Sequence, residues 1–258
     1  MGTPSKALSL LSYFSRANPQ IGLSDLARLS GFNKATTFRL MTELSDFGFV
    51  EQVGSGREYR LGPAFLRFAA LREHNVPMRE TAHKALKRMS EITGETAHLS
   101  LLEGDKLVTL SYTYGQAHGI SVRMEDAEVL LLHATSSGHA VLAFGAPELV
   151  ERTLAAPLEA RTDQTITDAA AIRELLPQIK QNGYAVSTGG FEKDVCSHAV
   201  PLFDAASKCI GAVAIAAPEN RVTDALRQTI VHTVQSHTLQ LTRALGGFPP
   251  PGFPEVSI

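Results

Sequence analysis

The sequence is short of the residues that mark extracellular, membrane or zinc proteins. It has no tryptophan and only two cysteines, Cys196 and Cys209, in 258 residues. The cysteines fall on predicted neighbouring strands at different distances from one turn, so we expect no disulfide, and two cysteines alone do not make a zinc site. No apolar run could cross a bilayer, and the start, MGTPSKALSLLSYFS, lacks the basic segment and continuous apolar core of a secretory signal. We therefore expect a cytoplasmic protein without membrane contact.

Recognisable catalytic motifs are also missing. Nine histidines occur, but none forms an HExxH pair or another compact ligand spacing, and no GxSxG nucleophile elbow is present. We therefore expect no catalytic residue, no metal site and no cofactor. The net charge of −2 excludes a protein coated in positive charge, although residues 1–62 hold seven basic against five acidic side chains. This mildly cationic first segment is compatible with a nucleic-acid partner.

Two short helices joined by a glycine turn are predicted between Leu23 and Val50. Ser24 can cap the first helix, and Gly31 can end it. Asn33 can cap the second helix, whose apolar residues recur at helical spacing and are expected to be buried: Phe38, Leu40, Met41, Leu44 and Phe47. In a helix-turn-helix, the start of the second helix meets base edges and phosphates in the major groove, and its polar residues are Lys34, Thr36, Thr37 and Arg39.

A short β-hairpin is predicted after the second helix. Gly48 can stop the helix, residues 49–53 and 58–61 are predicted strands, and the glycines at 54 and 56 suit a tight turn. Arg57 and Arg60 lie on or beside this wing, where cations can engage a phosphate backbone. The alternative is an ordinary helical domain with solvated arginines, because two amphipathic helices joined by glycine are common.

The next segment is predicted to be a linker that needs a partner. Ala64 to Glu73 is too apolar to stand alone in water, and the first helix, Lys6 to Arg16, also leaves apolar surface for a partner subunit. Phe65, Phe68 and Leu71 could instead be buried within one subunit, which is the ordinary fate of such residues.

From residue 78 onwards the pattern predicts a domain of helices and strands. A helix runs to Thr93, and Asp168 and Thr223 or Asp224 can cap two later helices that end near Asn182 and Leu245. Alternation of apolar residues predicts antiparallel strands at residues 95–102, 106–114, 120–123, 184–187, 197–203 and 209–216.

These segments resemble the IclR family of bacterial transcriptional regulators. The resemblance runs to about Gly246 and rests on GLSDLARLSGFNKATTFRLMTELSDFGFVE and YRLGPAFL in the first part, and on LLHATSSGHAVLA, NGYAVSTGGFE and AVPLFDAASKCIGAVAIAAPENRVT in the second. It implies an α+β protein with a winged helix-turn-helix at residues 1–62, a linker helix at 63–77, a GAF-like α/β effector-binding domain at 78–247 and a flexible tail at 248–258. It also implies a homodimer or a dimer of dimers.

Departures from the family pattern define the expected effector pocket. Ser197 stands at a family cysteine position, and Ala214 and Ala216 stand at serine positions, which leaves apolar room for an aromatic or medium-sized organic acid. N–H groups at the start of a helix suit the acid's carboxylate. His139 or His198 could add a hydrogen bond, but alternation allows only one of Ser197 and His198 to face the pocket, and we favour Ser197. The complete predicted set is Thr135, Ser136, Ser137, Gly138, Ser187, Ser197, Ala214 and Ala216.

A ligand-responsive transcription factor is the function that these observations favour. We expect a repressor of a catabolic operon that binds a double-stranded DNA operator and is released or modulated by a small organic acid. One alternative is a GAF-like small-molecule-binding enzyme, and another is a protein-interaction module with a helical adaptor. For the pocket, the alternative is that residues 135–138 only cap a helix and the two alanines only fill a tight core.

Overall fold

The computed structural model describes residues 2–15, 18–54, 58–75, 78–115, 121–125 and 127–254, with only the backbone for 72–75. The chain divides into two compact units, Met1–Pro77, here called the head, and Met78–Ile258, here called the body. The α+β class is confirmed, with a helix-turn-helix in the head and an α/β arrangement in the body.

The head combines helices with a small antiparallel sheet. Its elements are α1 (Thr3–Leu11), β1 (Ile21–Gly22), α2 (Leu23–Ser30), α3 (Lys34–Asp46), β2 (Val50–Gln52), β3 (Glu58–Leu61) and α4 (Ala64–Asn75). The strand order is β1-β3-β2. The apolar core beneath the helix-turn-helix includes Leu10, Leu26, Leu40 and Met41, and burial of these side chains holds α1, α2 and α3 together.

The turns of the head follow local chemistry with one exception. Asn33 caps α3 as predicted, since its side chain accepts a hydrogen bond from the Thr36 N–H at 2.8 Å. Gly31 and Gly48 both have positive φ, which glycine adopts without strain. Ser24 does not cap α2. Gly22 occupies that position because the preceding chain is extended and pairs with β3, so the helix begins one residue before Ser24.

The face of α3 that is buried differs from the predicted one. Thr37 is buried together with Leu40, Met41 and Leu44, whereas Phe38 is 53% exposed and Phe47 72% exposed. The stripe at positions 37, 40, 41 and 44 has the i, i+3, i+4, i+7 spacing of a helix face, so Phe38 falls outside it. Thr37 tolerates burial because its hydroxyl donates to the Asn33 carbonyl oxygen at 3.1 Å.

In the described residues of the body, six antiparallel strands form a sheet that is covered by helices on both faces. Its elements are α5 (Met78–Thr93), β4 (Thr96–Glu103), β5 (Lys106–Thr113), β6 (Val129–Leu130), α6 (Ser136–Phe144), α7 (Pro147–Ala155), α8 (Ala169–Asn182), β7 (Ala185–Thr188), β8 (Val195–Phe203), β9 (Cys209–Pro218) and α9 (Asp224–Ala244). The strand order is β6-β5-β4-β9-β8-β7. Residues of α6, α7 and α8 pack on one face, and residues of α5 and α9 pack on the other.

Two further expectations for the body need correction. The strand predicted at residues 120–123 is not formed by residues 121–123, and residue 120 lies outside the described chain. The expected loose tail is packed as far as it is described. The ring centroid of Phe253 lies 5.2 Å from that of Phe144 and 5.4 Å from that of Phe203. These contacts between aromatic rings hold the described part of the tail on the body.

Candidate functional site

The start of α3 presents two basic side chains to solvent. Lys34 and Arg39 are exposed, and Thr36 is half-buried. Thr37 was predicted to lie on the same surface but is buried, and its hydroxyl is used within the helix. Thr37 is therefore removed from the set of residues that could touch DNA, because its side chain does not reach the surface.

The wing contributes a cation that already has a local partner. Arg60 lies on β3, where its Nε is 2.6 Å from a carboxylate oxygen of Glu51 on the paired strand. Both side chains are about half exposed, and such surface pairs are weak enough to exchange partners. Arg57 lies outside the described residues. Arg60 could thus turn to a phosphate after releasing Glu51.

A cavity of about 60 Å³ lies in the body between the start of α6 and the sheet. It brings together most of the residues that the sequence suggested for the effector: Thr135, Ser136, Ser137, Ser187, Ser197 and Ala216. Gly138 and Ala214 are not in its lining. Residues 135–137 lie at the start of α6, whereas Ser187, Ser197 and Ala216 lie on strands that follow much later in the sequence. The sheet and α6 therefore form the site together.

Gly138 and Ala214 have packing roles instead. A Cβ on Gly138 would lie 2.3 Å from the Leu132 carbonyl oxygen, so only glycine fits this close approach. The Gly138 N–H donates to the Thr135 hydroxyl at 3.0 Å and is not free for an anion. Ala214 is fully buried in the core beneath α6. At these two positions the structure matches the alternative of a helix cap and a tight core.

The polar floor of the cavity is formed by serines and free backbone donors. The Ser136 and Ser197 hydroxyl oxygens are 2.8 Å apart, and the Ser187 hydroxyl donates to the Ala134 carbonyl oxygen at 2.9 Å. The N–H groups of Ser136 and Ser137 have no acceptor among the described residues. Since the first N–H groups of a helix attract negative charge, this end of the cavity suits a carboxylate.

His98 is a lining residue that sequence reasoning missed. Its Nε2 is 3.4 Å from the Ser137 hydroxyl, while its Nδ1 is buried without a partner. Burial lowers the pKa of His98 to about 4, so the ring is neutral near pH 7. No local sequence signal marks His98, because its place depends on pairing with Ala214 across β4 and β9, which puts both residues on one face of the sheet.

The histidines suggested from sequence do not reach the cavity. His198 lies on the opposite face of β8 from Ser197, with its ring centroid 6.5 Å from that of Tyr184. His139 is buried, and its Nε2 is 2.7 Å from the His133 carbonyl oxygen. Ser197 thus lines the cavity and His198 does not, which agrees with the expectation that only one of the two would face it.

Charged and apolar side chains complete the wall. Arg123 and the two acids Glu128 and Glu192 lie beside the serines, with apolar lining from Val122, Met124, Leu130, Phe191 and Val195. Burial raises the pKa of Glu128, and the negative charges of Glu125 and Glu192 add to that rise. The arrangement offers hydrogen-bond donors and one cation at a mostly apolar wall.

A helix-turn-helix joined to a domain with a small-molecule cavity defines a ligand-binding transcription regulator. Two family models match the chain: the IclR helix-turn-helix domain at residues 3–54 and the C-terminal domain of bacterial IclR transcriptional regulators at residues 69–243. The chain belongs to the IclR family of bacterial transcriptional regulators. As a member of this family it is a DNA-binding regulator and not an enzyme.

Individual relatives support the same assignment along nearly the whole chain. The HTH-type transcriptional regulator XynR of Escherichia coli K12 is 29% identical over 93% of this chain and 96% of its own length. A crystal structure of an IclR-type regulator from Silicibacter sp. TM1040 is 53% identical, with a TM-score of 0.96, and covers 98% of this chain and 100% of the other.

A more distant structure shares the fold and carries a ligand. It is an IclR homologue from Microbacterium hydrocarbonoxydans in complex with 4-hydroxybenzoate, 24% identical with a TM-score of 0.76, covering 94% of this chain and 100% of the other. At this identity the likeness shows the fold alone. In the part of this chain that the structure describes, no helix is both long and apolar enough to cross a membrane.

Proposed function

We propose that this regulator is a cytoplasmic repressor of a catabolic operon whose affinity for its operator changes when a small organic acid occupies the cavity beside α6. The observation that carries the proposal is the pair of free N–H groups at Ser136 and Ser137, which lie beside the Ser136–Ser197 hydroxyl pair in the cavity. Donors without acceptors in a buried site favour a ligand that supplies acceptor oxygens.

The class of acid follows from the wall of the cavity. Val122, Phe191 and Ala216 provide apolar contact opposite the donors, which suits a ring or a short carbon chain with one carboxylate. The homologue that binds 4-hydroxybenzoate makes an aromatic acid a reasonable first probe. A panel that runs from a three-carbon acid to a benzoate therefore brackets the size of acid that this cavity accepts.

Calorimetry on a panel of acids tests the site. The panel contains 4-hydroxybenzoate, benzoate and pyruvate, each titrated into the parent chain and into Ala216→Phe, Ser197→Ala and Ser100→Ala. Filling the cavity in Ala216→Phe is expected to abolish binding, and Ser197→Ala to weaken it by about tenfold through loss of one buried hydrogen bond. Ser100→Ala is the matched control, since Ser100 is a buried serine on the same sheet outside the cavity.

The outcome that contradicts the site is equally specific. If an acid binds Ala216→Phe as tightly as the parent, and circular dichroism shows that the variant is folded, the acid occupies another place. If Ser100→Ala loses as much affinity as Ser197→Ala, the loss reflects general loosening of the sheet and not contact with the ligand.

On the DNA side, Lys34, Thr36, Arg39 and Arg60 are the described residues that we propose to contact the operator, together with Arg57. Arg39→Ala is expected to weaken operator binding by about 1–3 kcal/mol if its guanidinium reaches a base. The control is Arg88→Ala, an exposed arginine of α5 in the body. Equal affinity for the parent and Arg39→Ala, at unchanged stability, would remove Arg39 from the interface.

We also propose that the regulator assembles as a homodimer or a dimer of dimers through α1 and α4. Leu66 is 77% exposed, and Leu8 and Phe68 are also largely exposed. A two-fold assembly that buries them would match two half-sites on DNA. Light scattering is expected to show a dimer or larger species that Leu66→Asp dissociates, whereas a stable parent monomer at micromolar concentration would contradict the proposal.

A further inference from the structure

Phe38 is a large aromatic side chain among the residues of α3 that the proposed function places at the operator, and the following inference rests on that proposal. It lies on the second turn of α3, outside the buried stripe of Thr37, Leu40 and Met41, and is 53% exposed. Lys34 lies one helical turn before it and Arg39 directly after it, both exposed. Because water solvates an aromatic ring poorly, this exposure does not stabilise the isolated head.

The surroundings of Phe38 fit a nucleic acid better than an apolar protein surface. Its ring forms part of an open groove of about 460 Å³ that is also lined by Gly22, Lys34, Gln52 and Tyr59. The carboxylate of Asp25, which borders the same groove, is 3.0 Å from the Arg28 guanidinium and is thereby partly neutralised. A ring flanked by cations and amide groups resembles the mixed surface that enters the major groove.

The chemistry of the major groove identifies a target for the ring. Of the groups that base pairs expose there, the C5 methyl of thymine is the apolar one, and the others are hydrogen-bond donors or acceptors. Phe38 cannot exchange hydrogen bonds, so an apolar contact is what its side chain can add to recognition. We propose that Phe38 is a specificity-determining residue that packs against a thymine methyl in each half-site, while Lys34 and Arg39 supply polar contacts.

Selection from a random duplex pool tests the sequence preference. The full chain is expected to enrich duplexes with an invariant thymine at one position of each half-site. Phe38→Ala is expected to enrich the same sites without that preference. Phe47→Ala is the matched control, since it removes an exposed phenylalanine at the opposite end of α3 and should keep the thymine. An unchanged thymine preference in Phe38→Ala overturns the proposal, as does a parent that enriches no such thymine.

Replacing that thymine by deoxyuridine in a selected duplex isolates the methyl group. The parent is expected to bind the deoxyuridine duplex about fourfold more weakly, which is the factor for burial of one methyl-sized group. Phe38→Leu should retain part of the preference for the thymine duplex over the deoxyuridine duplex. Phe38→Ala should bind both duplexes equally. Equal binding by the parent overturns the methyl contact. So does a Phe38→Ala variant that becomes monomeric in light scattering, because the ring would then belong to a subunit interface.

Discussion

The head exposes large apolar side chains to solvent, whereas the body buries polar ones. The head exposes phenylalanines at positions 38 and 47, and the exposed cations Lys34 and Arg39 lie near Phe38 in α3. The body buries histidines and threonines, and its described residues include buried ring nitrogens without hydrogen-bond partners at His98, His139 and His198. Exposed apolar side chains can be covered by a large partner, and of the three histidines His98 lines the cavity of the body. The comparison therefore favours DNA as the partner of the head and a small molecule as the ligand of the body.

The largest expected effect is on the buried ion pair of the body. The Arg221 guanidinium lies 2.9 Å and 2.6 Å from the two carboxylate oxygens of Glu95, which is fully buried. Arg221→Ala leaves that carboxylate without its cation, so we expect the free energy of unfolding of the body to fall by about 3–5 kcal/mol. Urea denaturation followed by circular dichroism measures the loss.

The control for this pair is Arg152→Ala. Arg152 pairs with Asp105 at 2.6 Å, but both side chains are more than half exposed, so water replaces the lost partner. We expect little change in unfolding. A loss as small for Arg221→Ala as for Arg152→Ala would show that the body does not depend on buried charge.

The next effect separates two neighbouring positions of the head. Thr37→Lys puts a charge at a fully buried position, and we expect the free energy of unfolding of the head to fall by about 3 kcal/mol. Phe38→Lys changes an exposed position and is expected to leave stability nearly unchanged. Thermal unfolding by circular dichroism distinguishes them. Similar melting temperatures for the two variants would contradict the burial of Thr37 and the exposure of Phe38.

Acid pH should destabilise the body selectively. Burial lowers the pKa of His98 and of His198 to about 4, with the charge of Arg227 adding to the shift at His198. The folded state then resists protonation, so stability is complete above about pH 6.5 and decreases as pH falls towards 4. Each histidine can contribute as much as about 3 kcal/mol to this loss. The head contains one histidine, His74, so we expect a smaller loss of stability in the head over this pH range.

His198→Phe is the sharpest variant for the pH effect. Neither ring nitrogen of His198 has a hydrogen-bond partner in the described structure, so phenylalanine can replace the ring without breaking a bond. We expect the pH dependence of unfolding between 6.5 and 4 to shrink and the stability at pH 5 to rise. His83→Phe, at an exposed position of α5, is the control. An unchanged pH dependence in His198→Phe would contradict the role of this buried ring.

The smallest expected effects compare one helix cap from each unit. Asn33 caps α3 at the surface with one hydrogen bond to the Thr36 N–H. Thr135 caps α6 in a buried setting, accepting from the Gly138 N–H and donating to the Leu131 carbonyl oxygen. Asn33→Ala is expected to cost about 1 kcal/mol and Thr135→Ala about 1–2 kcal/mol. The reverse order in urea denaturation would contradict the greater weight of buried polar contacts in the body.

The helix-turn-helix was predictable because its signals are local. Asn33, Gly31 and Gly48 act on residues within one turn, and the structure uses each of them as predicted. Phe38 was wrongly predicted to be buried because apolar residues were chosen by type and not by their position around the helix. Positions 37, 40, 41 and 44 already define a helix face, and threonine can join it because its hydroxyl bonds back to the helix.

The effector cavity was predictable only in part because it depends on tertiary register. Residues 135–137 could be placed at a helix start, and alternation allowed only one of Ser197 and His198 to face the cavity. His98 enters the wall from β4, and Arg123 enters it from residues that do not form the strand expected there. Ala214 and Ala216 share a face of β9, but Ala214 lies in the core beneath α6. Alternation predicts which face of the sheet a side chain occupies. It does not predict which residues of that face lie next to the cavity.

Coupling between the cavity and DNA is the central claim, and fluorescence anisotropy tests it most directly. A labelled duplex selected from a random pool is titrated with the full chain at constant salt, with and without saturating amounts of an acid that binds in calorimetry. We expect the acid to change the Kd for DNA by about fivefold or more in the parent and to have no effect in Ala216→Phe. An acid that binds the parent but leaves its Kd for DNA unchanged would contradict the claim.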